Sequence, residues 1–471
     1  MPPKLALFIC VIYVFLLLRL ERKQTPNVSW VLWIPTVWML VIASKPLGTW
    51  FGSGHHYTGS PLDQIFLSIL LFSSMLILVS RKFKFSMAIK ENAALIFLIA
   101  YMLVSVLWSE ELFDSIKRWI RELIVILMAF LVRSERDPRQ AMQSLFKRSI
   151  YVLIPLSLLL IKYFPEYGIQ YRSMGGQMWI GATLQKNGLG RLCLISAFFL
   201  IWTLVQRWKG KDIPVSKYQT YADLFVLMLT LFIMSGPGGQ FSATAIASLG
   251  VGLVVFIGLL WSQKHRIILG ANSLTIITIL IFGLGALQPF MGGSFVKDIA
   301  SNFGRDVTLT GRTEIWASLL PDLMRQPFFG HGFASFWTPM TEKIHDIGEA
   351  HSGYLEVMLD TGFLGLILLA IFLISYCRKA QRLLYDDYDW GSLSICFLLM
   401  AMIHNISESS INSFTSQLTA VLLFLAVSSS AATSYASIVA PIKATSPRIK
   451  FPSYSRKKKT TITSFQRISH R

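Results

Sequence analysis

Residues 350–377, AHSGYLEVMLDTGFLGLILLAIFLISYC, open with His351 and Ser352, carry Glu356 and Asp360 four residues apart, and end in an uninterrupted apolar run. From Tyr354 to Cys377 the stretch can cross a hydrocarbon slab, which takes about 20 residues of helix. Carboxylates inside such a slab are expensive and face a wet cavity or a partner group. The run therefore reads as a membrane helix whose first turns line something polar.

Comparable apolar runs recur at 5–18, 29–44, 63–80, 92–108, 117–132, 149–163, 189–206, 223–235, 243–261, 267–288, 389–403 and 414–430. The chain of 471 residues is 53% hydrophobic and only 15% charged, a composition far from that of a soluble domain. The fold class that follows is all-α: a polytopic helical membrane protein of about 12–13 transmembrane helices. The first run is followed by RLERK and no small-residue cleavage site, so it is expected to be a retained helix and not a signal peptide. Cys10, Cys193, Cys377 and Cys396 fall in or beside apolar runs without CxxC spacing, which argues against disulfides and zinc.

The net charge of +19 does not point to nucleic acid, because the basic residues sit in short clusters between apolar runs. RLERK, RKFKF, RSERDPR with FKR, RWKGK, QKHR and CRKAQR occupy alternate joints, so the positive-inside rule makes those joints cytoplasmic. The stretches near 45–62, 109–117, 164–188, 236–242, 289–353 and 404–413 are then outer. This divides the chain into an N-terminal transmembrane bundle (1–288), a long outer loop (289–353), C-terminal transmembrane helices (354–430) and a basic tail (431–471), expected to be cytoplasmic and disordered. Within the loop, GRTEIWASLLPDLMRQPFFGHGF places Trp316, Leu319, Leu320 and Leu323 at helical spacing, and predicts one or two short amphipathic helices. No fixed-period repeat and no inverted pair of broken helices is evident.

The candidate residues are the polar groups that fall on the outer side. Ser352 is a plausible N-cap, which sets His351 beside the positive end of a helix dipole, a field that disfavours imidazolium. A neutral histidine can act as a general base; the plain alternative is an interfacial histidine with no role. Glu356 and Asp360 share one helix face and either orient that base, bind sugar hydroxyls, or pair with a buried cation. Arg312, between Gly311 and a helix start, suits bidentate recognition of phosphate. Lys186, Asn187 and Arg191 in TLQKNGLGR give a second source of positive charge, or a snorkelling helix anchor. Lys117, Arg118 and Arg121 in DSIKRWIRE fit an interfacial helix whose charges meet headgroups, or a third cationic group. His404, Asn405 and Glu408 end another span on the same side. The adjacent His55 and His56 lack a third ligand at sensible spacing and make no zinc site. GxxxxGK[ST], HExxH and GxSxG are all absent from the sequence.

Taken together these residues resemble the O-antigen ligase and polymerase superfamily over roughly residues 90–425. Its ligase signature is a histidine, then Asn, Ser or Gln, nine residues, a glycine, two residues, and Gly, Thr or Tyr. Here His351 and Ser352 are followed by GYLEVMLDT, Gly362, FL and Gly365. GRTEIWASLLPDLMRQPFFGHGF resembles the family's arginine-bearing loop helix, and QKNGLG a Lys-Asn element of exopolysaccharide-polymerase-like members. One departure stands out: in SATAIASLG, Ala243 occupies the position where many relatives carry an arginine.

The resemblance implies a GT-C-like membrane glycosyltransferase in the bacterial cytoplasmic (inner) membrane, working on its outer, periplasmic face. It implies transfer of a glycan from a polyprenyl (undecaprenyl) diphosphate to a sugar hydroxyl on lipid A core or on a lipid-linked glycan. By position His351 takes the base role and Arg312 binds the diphosphate, with Lys186 or Arg118 supplying the second cation. Asn187, Glu356, Asp360 and Glu408 are the sugar-binding or orienting candidates. No metal, cofactor or nucleic acid is implied. Rival readings are a transporter of a small anion or glycan, and a non-catalytic assembly factor.

Overall fold

The computed structural model describes residues 1–52, 59–171, 176–210, 217–237, 241–267, 270, 272–292 and 311–428. His55, His56, residues 293–310 of the long loop and the 431–471 tail lie outside the described residues. Every apolar run named above is a helix: α1 (Pro3–Gln24), α2 (Trp33–Ile42), α3 (Pro61–Ser80), α4 (Ala93–Ser105), α5 (Leu112–Arg133), α6 (Pro138–Tyr163), α7 (Lys186–Trp208), α8 (Lys217–Ser235), α9 (Ala243–Lys264) and α10 (Ser273–Leu287). The loop contributes α11 (Arg312–Arg325) and α12 (Pro339–His345); α13 (Gly353–Asp386), α14 (Tyr388–His404) and α15 (Gln417–Ser428) complete the bundle. Among the described residues seven helices are long and apolar enough to cross a membrane, and four more apolar helices are shorter. The chain is an all-α polytopic membrane protein.

The interior is apolar, as in a soluble fold, and so is much of the outside. α6, α7, α14 and α15 form the packed interior, while α1 and α3 present Phe8, Phe15, Phe72 and Leu76 outward, each more than 60% exposed. Water would not tolerate such apolar bands, but acyl chains match them. α13 packs against α4, α10 and α14; α14 also packs against α9, which in turn meets α7.

Helix ends differ from the sequence expectation where polar turns are buried in the bundle. α6 starts at Pro138, eleven residues before the apolar run, because Asp137 accepts from the Arg139 and Gln140 amides at 3.0 Å and Pro138 fills the first helical position. Its Arg148 then lies buried, 2.9 Å from Glu21 and over the Trp33 ring. α13 continues to Asp386, past the predicted end at 377. Two helices are nonetheless broken: α13 contains a non-helical residue at Gly362, and the short helix Phe85–Glu91 meets α4 at 94°.

The helices alternate in direction, so the joints sort into two ends. The basic joints predicted to lie together do so, at the end that holds Arg148; the stretches carrying Arg118, Asn187, Arg312, His351 and Glu408 gather at the other.

Candidate active site

The site is built on the break in α13. Gly362 has φ 66° and ψ −169°, in the left-handed half of the map where glycine alone is unstrained, and a side chain there would strike the Phe328 backbone. The break releases backbone groups that the PFFGHG stretch of the loop takes up. Phe363 N and Leu364 N donate to Pro327 O and Phe328 O at 2.8 and 3.2 Å, while His331 N and Gly332 N donate to Leu359 O and Asp360 O at 2.9 and 2.8 Å. Tyr101 on α4 donates to Thr361 O at 2.9 Å. Irregular backbone survives at membrane depth only when it is satisfied in this way. The half-helix from Gly353 to Thr361 is thus fixed at both ends, since Ser352 caps Leu355 N, and Gly353 N donates to the Asn405 and Glu408 carbonyls at 3.0 Å each.

His351 stands just outside that cap with φ 51°, a left-handed conformation that costs a non-glycine residue about 1–2 kcal/mol. Strain of this kind collects at functional sites. Its Nδ1 lies 3.1 Å from Glu349 Oε1, near enough for an ion pair but without hydrogen-bond alignment, and the ring is 27% exposed. Beside it, Glu408 is buried and binds two partners: Arg312 Nη2 at 2.5 Å, and the Asn187 amide nitrogen at 2.8 Å to each carboxylate oxygen. Arg191, one turn beyond Asn187 on α7, donates to Ser409 O at 3.4 Å. Arg312 therefore reaches the cluster from the loop helix, Asn187 and Arg191 from α7, Glu408 from the turn after α14, and His351 from the rim of α13.

Glu356 and Asp360 divide between two places. Glu356 accepts from Ala350 N at 2.6 Å, Ser409 Oγ at 3.3 Å and Trp337 Nε1 at 2.8 Å, all of them neutral donors. Asp360, one turn on, accepts from Phe336 N at 3.4 Å and lines a separate chamber of about 570 Å³ with Arg118, Arg121, Glu122 and Trp337. Arg118 donates to Ala334 O, and Glu122 accepts from Ser413 Oγ and Phe414 N at 2.8 and 2.7 Å. A second cavity of about 520 Å³ shares Arg121 and Thr415 with this chamber. α5 is thus no interfacial helix with all its charges turned to headgroups: Lys117 is exposed beside Asp114, whereas Arg118 and Arg121 face inward.

The acid that meets His351 is accordingly Glu349, and not Glu356 or Asp360. Lys186 shares the first turn of α7 with Asn187 and is half-buried. Asn405 is a scaffold residue, its Oδ1 accepting from Ser410 N and Ile411 N at 2.9 Å each. His404 is wholly buried, and neither ring nitrogen has a hydrogen-bond partner among the described residues. At Ala243, where an arginine was looked for, the helix start lies against α7: a Cβ on Gly190 would meet Ser242, and Thr244 Oγ1 is 3.1 Å from Ser407 Oγ. Gly190, the residue before Arg191 on α7, is thus what packs on this helix start.

Glu349, His351 and Glu408 bring three ligand-type atoms within 4.8 Å of one another, a spacing that suits a divalent ion. Glu408 is already engaged by a guanidinium and an amide, so an ion there competes with Arg312. Sequence reasoning passed over Glu349, Glu122 and Trp337. Their only local signals are an acid two residues before the histidine and one four residues after Arg118.

Comparison with known proteins adds the family. Residues 224–370, from α8 through the first half of α13, match the family described as O-antigen ligase. The chain is also 23% identical over 308 residues to the exopolysaccharide production protein ExoQ of Rhizobium meliloti (strain 1021), covering 62% of this chain and 66% of that protein. Both similarities agree with the resemblance to the O-antigen ligase and polymerase superfamily. No solved structure matches it. The ligase-type region contains Arg312, His351, Glu356 and Asp360, while Asn187, Arg191, Arg118 and Glu408 come from outside it.

Proposed function

We propose that this ligase/polymerase-type membrane enzyme transfers a glycan from a polyprenyl (undecaprenyl) diphosphate to a sugar hydroxyl at the outer face of the bacterial cytoplasmic membrane. The observation that carries the reading is the convergence of His351 with two arginines, Arg312 and Arg191, around Glu408 at one end of the bundle. The basic joints cluster at the opposite end, which supports an outer location for this one.

In the reaction the acceptor oxygen attacks the anomeric carbon, the bond from that carbon to the diphosphate oxygen breaks, and the acceptor proton passes to His351. Glu349 faces the Nδ1 side of the ring at 3.1 Å, which leaves Nε2 for that proton. The departing diphosphate meets Arg312 and Arg191. Glu408 engages one nitrogen of Arg312 and leaves other guanidinium donors for phosphate oxygens. Arg191 is our choice for the second cation, with Lys186 at the helix rim and Arg118 in the chamber with Asp360 as the alternatives. That chamber, with three acids (Glu122, Glu342 and Asp360), two arginines and Trp337, suits the hydroxyls and ring face of a sugar. Whether the acceptor is lipid A core or another lipid-linked repeat separates ligase from polymerase. A deletion strain distinguishes them: polymer left on its carrier means ligase, and single unpolymerised repeats mean polymerase.

The test is His351→Ala. It is expected to abolish glycan transfer while the protein accumulates normally in the membrane; retention of full transfer overturns the assignment. Transfer is expected to be unaffected by chelators, since guanidinium groups neutralise the leaving diphosphate. Loss on chelation with recovery on adding a divalent ion would instead assign an ion to Glu349, His351 and Glu408. The broken α13 gives a transporter of a small anion or glycan some support, because discontinuous helices often line transport sites. Uptake that survives His351→Ala, with no glycan transfer in the parent protein, would select that reading.

A further inference from the structure

At the end of the bundle remote from His351, the C-terminal part of α9, the start of α10 and the last turns of α13 enclose a groove of about 580 Å³. Arg266, Arg378 and Arg382 line it, and no aspartate or glutamate does among the described residues. Buried and half-buried cations at the same end meet acids: Arg148 meets Glu21, Arg207 meets Asp223 at 2.6 Å, and Arg81 meets Glu135 at 2.9 Å. Arg266, Arg378 and Arg382 have neither an ion pair nor a hydrogen bond to another described residue, and all three are exposed.

Several of the groove's other polar walls are occupied. Thr275 Oγ1 donates to Gln381 Oε1 at 3.1 Å, Ser262 Oγ to Ile267 O at 2.8 Å, Tyr388 OH to Leu259 O at 2.6 Å, and Lys209 Nζ to Gln263 Oε1 at 2.9 Å. The three guanidinium groups stand with Asn272 and Tyr385 above an apolar floor that includes the buried Leu274. The same helices also carry exposed apolar groups on their outward faces, Ile257 and Trp261 on α9 and Ile276 and Leu280 on α10. A ligand that fits both parts has a phosphate at one end and a hydrocarbon chain at the other.

We propose that this groove binds the headgroup of an anionic phospholipid, its phosphate held by Arg266, Arg378 and Arg382 and its acyl chain lying along α9 and α10. Basic pockets between membrane helices suit such headgroups, and each cation near the surface strengthens binding several-fold. Orientation of the chain in the membrane asks only for positive charge and confers no choice among headgroups. Headgroup selectivity therefore separates a binding site from a topology signal.

The experiment titrates the purified full-length protein in detergent with short-chain phosphatidylglycerol, short-chain phosphatidylcholine and inorganic phosphate, with binding read by native mass spectrometry. Phosphatidylglycerol is expected to bind more tightly than either other probe. The combined R266Q/R378Q/R382Q variant is expected to lose about 100-fold in phosphatidylglycerol affinity. The matching variant with lysine at all three positions is expected to stay within about tenfold, as charge is kept but the planar fork is lost. Size-exclusion elution and glycan transfer report whether each variant is folded, and the single R382Q variant stands in should the triple glutamine variant aggregate. Equal binding of the two lipids, or unchanged affinity in the glutamine variants, overturns the proposal. Inorganic phosphate binding as tightly as phosphatidylglycerol overturns the lipid as the source of the anion.

Discussion

The two ends of the helix bundle both bury charge, and they do so in opposite ways. At the Arg148 end, Glu21 is held by Arg148, Thr25 and Ser144 together, and Asp223 by Arg207, Lys147 and Tyr151. The His351 end has an ion pair of its own, Glu408 with Arg312, but beside it stand charges held by neutral groups: Glu356 by an indole, a hydroxyl and a backbone amide, Asp360 by a backbone amide, and Arg118 through a hydrogen bond to a carbonyl. Paired charges cancel and leave little field for a third party. Charges held by neutral dipoles keep their field, and that field is what a substrate with hydroxyls and phosphates can use. The contrast marks one end as scaffold and the other as site.

Substitutions can break this contrast, and the largest effect is expected at His351. His351→Ala should lower transfer by about 100- to 10,000-fold, with thermal unfolding little changed, since the ring packs only at the rim; equal loss of stability and activity would make the rim scaffold as well. Next, Glu21→Ala strands Arg148 in the bundle and should destabilise by about 3–5 kcal/mol, while glycan transfer per folded molecule holds steady. Replacing both partners, Glu21→Leu with Arg148→Met, should recover much of that loss, and failure to recover would mean the pair does more than balance charge. Gly362→Ala forces a side chain into the left-handed region and against Phe328, at a cost of about 2 kcal/mol or more, and should expose 327–332 to protease. Glu356→Gln keeps an acceptor for Trp337 and Ala350, so it should lower transfer about tenfold, worth about 1.4 kcal/mol, with thermal midpoint unmoved. Lys117→Ala, at an exposed ion pair, should change stability by less than about 0.5 kcal/mol and transfer not at all.

Much of the fold was legible because apolar runs and alternating basic joints are local signals. Each run maps to a helix, and the polar stretches predicted to lie together gather at one end. His351, Arg312, Asn187 and Glu408, drawn from four separate stretches, meet in one cluster. Less legible was anything that depends on a distant backbone. Gly362 could be read as a motif letter, but the loop that fills the break lies some thirty residues earlier and connects through main-chain hydrogen bonds, which leave no pattern in side chains. Arg118 and Arg121 sit on a helix start whose composition suits an interface equally well. Only packing against 333–337 and 412–415 turns them inward.

The lock between 327–332 and Gly362 gives the spacing of the histidine motif a meaning as a ruler. Nine residues separate Ser352 from Gly362, and along a helix each contributes a rise of about 1.5 Å and a rotation of about 100°. One end of the ruler is clamped by the loop and the other carries the histidine. Inserting one alanine between them would leave every side chain of the cluster present while swinging the rim that carries Glu349 and His351 away from Glu408 and Arg312 by more than a quarter turn. The number of residues, as much as their identity, is then what sets the aim of the base.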